Sequence, residues 1–227
     1  MRSIVDIKIE KIVFSKRKTI ALQMTQNATL VIKAPLNTSE DSIWKIVNKH
    51  KNWICKKKRE IESRELRALP KKFTDTEEFL FLGRYYRLYL VEDQKEALRF
   101  QDNFYLSKSA LVRAKDVFIE WYKKTGYEKI AERAYWWAQR TGLKFSKINI
   151  TRAQRRWGSC SKKGTLNFSW RLVMAPLSVI DYVIVHELVH LEEKNHGNLF
   201  WRKVEMLIPD YKDRENWLRK NGYLLSL

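Results

Sequence analysis

The segment His186-Glu187-Leu188-Val189-His190 sets two imidazoles four residues apart with a carboxylate between them. On an α-helix, positions i and i+4 stack on one face, so both rings can offer a nitrogen to the same ion. Glu187 then points about a quarter turn away, where it can reach a water without being a ligand itself. Two imidazoles on a metal and a free carboxylate beside them suit hydrolysis by an activated water with a glutamate general base. A catalytic Zn²⁺ commonly takes three protein donors and keeps one position open. His196, six residues past His190, is the candidate third ligand, and three of the four histidines of the chain fall in this stretch. Glu205, from a following helix, is the alternative. The competing structural readings are core histidines satisfied by ordinary partners and a closed structural zinc site. The second is disfavoured because neither Cys55 nor Cys160 has ligand-like spacing to the histidines.

The helix that must position these groups is legible on both sides. Pro176 lies upstream, Ser178 is placed to cap, and Asp181 three residues on would complete a capping box. Val179, Ile180, Tyr182 to Val185, Leu188, Val189 and Leu191 surround the axis almost completely, the pattern of a buried helix ending near Glu193-Lys194-Asn195. An unpartnered carboxylate in such a helix costs several kcal/mol, and one cation would compensate Glu187 and the imidazoles together. Phe200, Trp201, Val204, Leu207 and Ile208 predict a second helix, capped by Asn195 or Asn198 and stopped by Pro209. A last helix over about Asp210 to Asn221 ends at Gly222.

Upstream, Ile148 to Thr151 and Thr165 to Val173 read as strands, with Ser161 to Gly164 turning a hairpin. Helical spacing from about Lys108 predicts one long helix or two, with Gly126 a possible break and Gly142 a stop. The Tyr135-Trp136-Trp137 cluster is expected in the core. The first hundred residues read as strands around one basic helix. Ile4 to Phe14 and Thr19 to Lys33 suggest an antiparallel meander, followed by a helix from Thr38 or Ser39 to about Leu69 and further strands over Phe79 to Phe104. The expected class is α+β, with a strand-rich accessory region over 1–104 and a mainly helical catalytic region carrying a β-hairpin over 105–227.

Composition narrows the partners. Across 227 residues, 45 Lys and Arg against 26 Asp and Glu leave a net charge of +19, which attracts acidic substrates or polyanions at a distance. Hydrophobic residues at 44 % support a folded core. No apolar run is long enough for a membrane helix, and two distant cysteines without a signal-like start suggest a reducing cytoplasm. Lys56, Lys57, Lys58 and Arg59 read first as a solvated helix face and second as a nucleic-acid contact. Trp157, Gly158 and Ser159, in the strand pair just before the metal helix, are candidates for binding an extended peptide along a sheet edge.

These residues resemble the YgjP-like metallopeptidase family, relatives of the WLM and SprT-like zinc peptidases. The likeness is carried by Arg156-Trp157-Gly158-Ser159-Cys160-Ser161, Asn167-Phe168-Ser169-Trp170-Arg171-Leu172, Ala175-Pro176, Val179-Ile180-Asp181-Tyr182-Val183, the two-histidine motif, and Asn195-His196 followed by Phe200-Trp201. Ser15 to Ile20, Ala34-Pro35 and Leu82-Gly83 extend it over nearly the full length. The resemblance implies a zincin-like catalytic region, with zinc on His186, His190 and His196 and Glu187 as base. Metzincins share the histidine spacing, but Glu193 stands where they carry a turn-forming glycine, and no Met-turn follows. The function expected is cleavage of a peptide or protein substrate. The alternatives are a metal-dependent nucleotide phosphoanhydride hydrolase and a DNA-associated protein with WLM- or SprT-like protease activity. Tyr182, Arg156 and Tyr223 are candidate oxyanion donors.

Overall fold

The computed structural model describes residues 8–25, 27–67, 70–92 and 94–227. The chain divides into two units, one ending at residue 69 and the other running from 70 to 227. Among the described residues there are six α-helices and three small sheets, so the class is α+β. None of these helices is long and apolar enough to cross a membrane.

In the first unit, β1 (Ile9–Ser15), β2 (Ala21–Met24) and β3 (Leu30–Pro35) form a sheet in the order β1-β3-β2. β2 runs antiparallel to β3, but β1 runs parallel to it, so the expected meander is corrected. Burial explains the order. Leu30, Ile32 and Ala34 of β3 are fully buried and need pairing on both sides, whereas β1 is mostly exposed and takes the edge. Ile4 and its neighbours through Ile7 lie outside the described residues, as does Leu69. The basic helix is two helices, α1 (Glu40–Lys49) and α2 (Lys51–Arg67), because His50 leaves helical dihedrals. Ser39 caps α1 by accepting from the Ser42 N–H at 3.3 Å. Ile43, Val47 and Ile54 close the core beneath β3.

The second unit begins with β4 (Glu78–Phe81), β5 (Arg84–Val91), β6 (Leu98–Phe100) and β7 (Phe104–Ser107), in the order β4-β5-β7-β6. The expected boundary after residue 104 falls inside this unit. Phe79 stacks on Phe118 at 4.4 Å, and Phe104 meets the same ring at 5.2 Å, so the strands share one aromatic core with α3 (Ala114–Thr141). Two backbone hydrogen bonds, from Leu82 N–H to the Val173 carbonyl and from Gly83 N–H to the Met174 carbonyl, tie the β4–β5 turn to the segment just before residue 177. Gly83 has φ +80°, and a Cβ there would lie 2.8 Å from Pro176 Cα, so a side chain is excluded twice over.

α3 is a single helix of 28 residues. Gly126 does not break it, and Gly142 ends it in the left-handed conformation at φ 72°. Tyr135 and Trp136 depart from the core reading and are exposed. The Trp136 ring lies between the guanidinium groups of Arg133 and Arg140, each 4.5 Å from its centroid, which covers the indole without burying it. Next, β8 (Lys147–Thr151), β9 (Gly158–Cys160) and β10 (Thr165–Ser169) form a sheet in the order β8-β10-β9. β10 stops earlier than expected, because Trp170–Met174 winds into a buried 3-10 turn that packs on α3. α4 (Leu177–Val189), α5 (Asn198–Leu207) and α6 (Tyr211–Asn221) complete the chain.

Candidate metal centre

α4 forms because its apolar residues have cover on every side. Val179, Ile180, Tyr182 to Val185, Leu188 and Val189 are each no more than 5 % exposed. At about 1.5–3 kcal/mol per large apolar side chain, that burial outweighs the weak helix preference of its β-branched residues. The expected capping box is absent. The helix starts at Leu177 with Pro176 at the N-cap, and Asp181 instead accepts two 2.7 Å hydrogen bonds from Arg133 of α3. This fork satisfies a buried carboxylate and fixes α4 against α3. At the other end Val189 is the last helical residue, short of the expected Glu193. Lys194 donates to the carbonyls of His190 and Leu191 at 2.8 and 3.0 Å, which satisfies groups the helix leaves open. The following turn brings His196 back over the helix. α5 begins at Asn198 after Gly197, with no side-chain cap, so neither Asn195 nor Asn198 has the predicted capping role.

The three histidine rings converge. His196 Nε2 lies 3.0 Å from His186 Nε2 and 3.1 Å from His190 Nε2. Phe200 sits under all three rings, with centroids 4.6–4.9 Å away, and Trp201 stacks on His196 at 5.7 Å. Glu205, the alternative ligand, is not part of this group.

The donor chemistry fits a cation. His190 Nδ1 donates to the Glu193 carbonyl at 2.8 Å, so the Nε2 of a neutral His190 carries a lone pair. A single proton on His196 Nε2 serves only one of its two close nitrogen neighbours. Hydrogen bonding among the rings therefore leaves at least one nitrogen pair opposed. A cation at their centre satisfies all three, and tetrahedral zinc with Zn–N near 2.0–2.1 Å would hold nitrogens about 3.3 Å apart. Burial, then the neighbouring imidazoles, pushes the pKa of His186 down to about 3, so this ring is neutral and ready to ligate. Burial and His190 also lower that of His196.

Glu187 is buried against β9, where sequence reasoning did not place it. The backbone N–H of Cys160 bonds to its carboxylate. A Cβ at Gly158 would lie 2.6 Å from Glu187 Oε1 and 2.7 Å from its Cγ, so the glycine is what lets strand and carboxylate meet. Trp157 O accepts from Ser169 N–H and Ser161 N–H donates to Thr165 O, which pairs this segment with β10 and leaves β9 at the sheet edge. Trp157, Gly158, His186 and Glu187 share one cleft of about 460 Å³, whose far wall is Glu215, Leu218 and Arg219 of α6. Ser159 lines a second cavity with Arg156 and Asn167, which Trp157 and Gly158 also border. The α6 wall is absent from the sequence reading, since nothing local to α6 marks it as part of a site. Lys56 to Arg59 lie on α2 in the first unit, where Lys57 pairs with Glu60 at 3.0 Å and Lys58 with Glu62 at 3.6 Å, contacts suited to a solvated face.

Burial raises the pKa of Glu187 to about 8, against the opposing pull of Arg156 and the Cys160 N–H. In metal-free protein the two perturbed groups have opposite linkage. With His186 depressed, the unfolded chain holds the extra proton from about pH 3 to 6.5, so stability falls as pH drops through that window. With Glu187 raised, the folded chain holds the extra proton from pH 4.5 to about 8, so stability falls as pH rises. These contributions cancel where the windows overlap. Urea unfolding of chelator-treated protein is expected to lose up to about 2 kcal/mol between pH 6.5 and 8. Glu187→Gln should flatten that decline; an equal decline in the variant would assign it to other groups.

A buried helix offering two imidazoles and a carboxylate, with a third imidazole folded back over it, could hold a metal ion beside a carboxylate. The chain belongs to the YgjP-like family, whose metallopeptidase domain matches residues 18–221. It is thus a hydrolase of a family that works with a divalent metal. The crystal structure of the metallopeptidase zymogen of Pyrococcus abyssi abylysin is similar, with a TM-score of 0.38 and 22 % identity over 43 % of this chain and 96 % of that one. No curated protein matches.

Proposed function

We propose that the chain is a zinc peptidase in which His186, His190 and His196 hold the ion and Glu187 is the general base. The observation that carries this reading is the convergence of three Nε2 atoms within 4.8 Å of one another, with Glu187 lining the same cleft as His186. When bound, zinc supplies Lewis acidity: it lowers the pKa of water toward about 7, polarises a carbonyl, and favours the ionised form of a neighbouring carboxylate. Glu187 takes the proton of the attacking water and passes it to the departing amine nitrogen. The Cys160 N–H fixes the carboxylate, and Phe200 with Trp201 fixes the rings. An extended peptide can add to the outer edge of β9 as a further strand, placing its backbone beside Glu187. Three neutral imidazoles without a carboxylate ligand are a poor match for the Mg²⁺ of most nucleotide hydrolases.

The test is elemental analysis paired with cleavage of an unfolded protein substrate. Wild type is expected to carry about one zinc per chain and to cleave; His190→Ala should lose most of the metal and about 10²-fold or more in rate. Full metal content and activity in His190→Ala would overturn the ligand assignment. A wild type that takes up zinc yet cleaves no peptide would overturn the peptidase reading.

A further inference from the structure

The cleft beside Glu187 has an uneven chemistry. Trp157, Val183 and Leu218 supply apolar lining, and Tyr182 adds an aromatic ring. Two residues of α6 bring charge to the lining, Glu215 and Arg219, one helical turn apart. Their side chains do not pair with each other. Arg219 Nη2 donates to Asn216 Oδ1 at 2.8 Å, whereas no salt bridge or hydrogen bond among the described residues engages Glu215. Glu215 lines the cleft together with Tyr182 and Leu218. Trp157 is held in place from behind: a Cβ at Gly222 would lie 2.8 Å from its Cζ2, so the C-terminal turn rests directly on the indole.

A cleft with apolar walls and an unengaged carboxylate in its lining matches a side chain with a long aliphatic stem and a cationic head. We propose that this cleft is a specificity subsite for lysine or arginine next to the cleaved bond, with Glu215 as the counter-charge. The inference rests on the peptidase reading and adds to it a substrate class, peptides bearing a basic residue at one defined position.

The test uses zinc-loaded full-length protein and fluorogenic peptides that vary at single positions flanking the cleavage point. At one position wild type is expected to prefer Lys or Arg over Glu by about tenfold or more in kcat/KM. Glu215→Gln should shrink that ratio, and Glu215→Lys should invert it. Inversion is a gain that a damaged fold cannot imitate, and Glu215 is exposed on α6, so neither variant disturbs the core. Equal ratios in all three proteins would overturn the subsite and leave the peptidase reading standing. A wild-type preference for acidic side chains would also overturn it and shift the recognition to Arg219. Failure of wild type to cut any peptide would overturn both readings together.

Discussion

Replacing Glu187 with Gln is expected to lower kcat/KM for peptide hydrolysis by about 10²- to 10⁴-fold while zinc content stays at the wild-type level. The amide has the size of the carboxyl group and can still accept the Cys160 N–H, so the contact with β9 survives. It cannot take a proton from water at neutral pH. With the proposed role of Glu187 in proton transfer, the loss should fall on kcat more than on KM. Metal analysis alongside the kinetics separates this outcome from loss of the ion. Activity within a few-fold of wild type, with zinc retained, would remove Glu187 from the proton path.

Gly158→Ala is expected to cost about 10²-fold in kcat, nearly as much as some losses from removing a catalytic group outright. The new methyl would meet Oε1, Cγ and Cδ of Glu187 at 2.6, 2.7 and 2.9 Å, so the clash involves the body of the side chain and not its tip alone. Glu187 is only 5 % exposed, and relieving the clash means shifting Cγ and Cδ as well as the carboxylate tip. Either the carboxylate moves off its line of attack or β9 lifts away and takes the Cys160 N–H with it. Gly126→Ala provides the comparison, because its added carbon comes no closer than 3.5 Å, to Val173 on the far side of α3 from solvent. That variant should keep wild-type kinetics. Equal activity in both variants would mean that Glu187 tolerates displacement and that the close approach of β9 is incidental.

α4 is legible in the sequence because its constraints are local. Apolar residues on every side of one axis predict a buried helix, and two histidines four apart must share a face of it. The return of His196 was within reach for the same reason, being only a few residues of turn away. What the sequence hid were pairings between distant segments. Asp181 sits where a cap is expected, but a guanidinium from α3, 48 residues upstream, claims it. Trp170 to Met174 alternates like a strand, yet the demands of packing on α3 wind it into a turn. The β4–β7 strands look like a separate region because their aromatic partners, Phe118 and Tyr122, lie beyond a change of periodicity. Gly158 is a sequence candidate for its place beside the helix, but its reason for being glycine is the carboxylate of Glu187 packed against it. The α6 wall had no signal at all, since Glu215 is an ordinary charged position on an ordinary amphipathic helix until the fold turns it toward the cleft.

Phe200 lying beneath all three imidazoles has a consequence for how the catalyst is assembled. Small zinc domains acquire their architecture only when the ion arrives. Here Phe200 packs against each of the three rings, so chelation is expected to abolish cleavage while circular dichroism shows the scaffold intact. Recharging it would then be a matter of diffusion and ligand exchange, with no refolding to wait for.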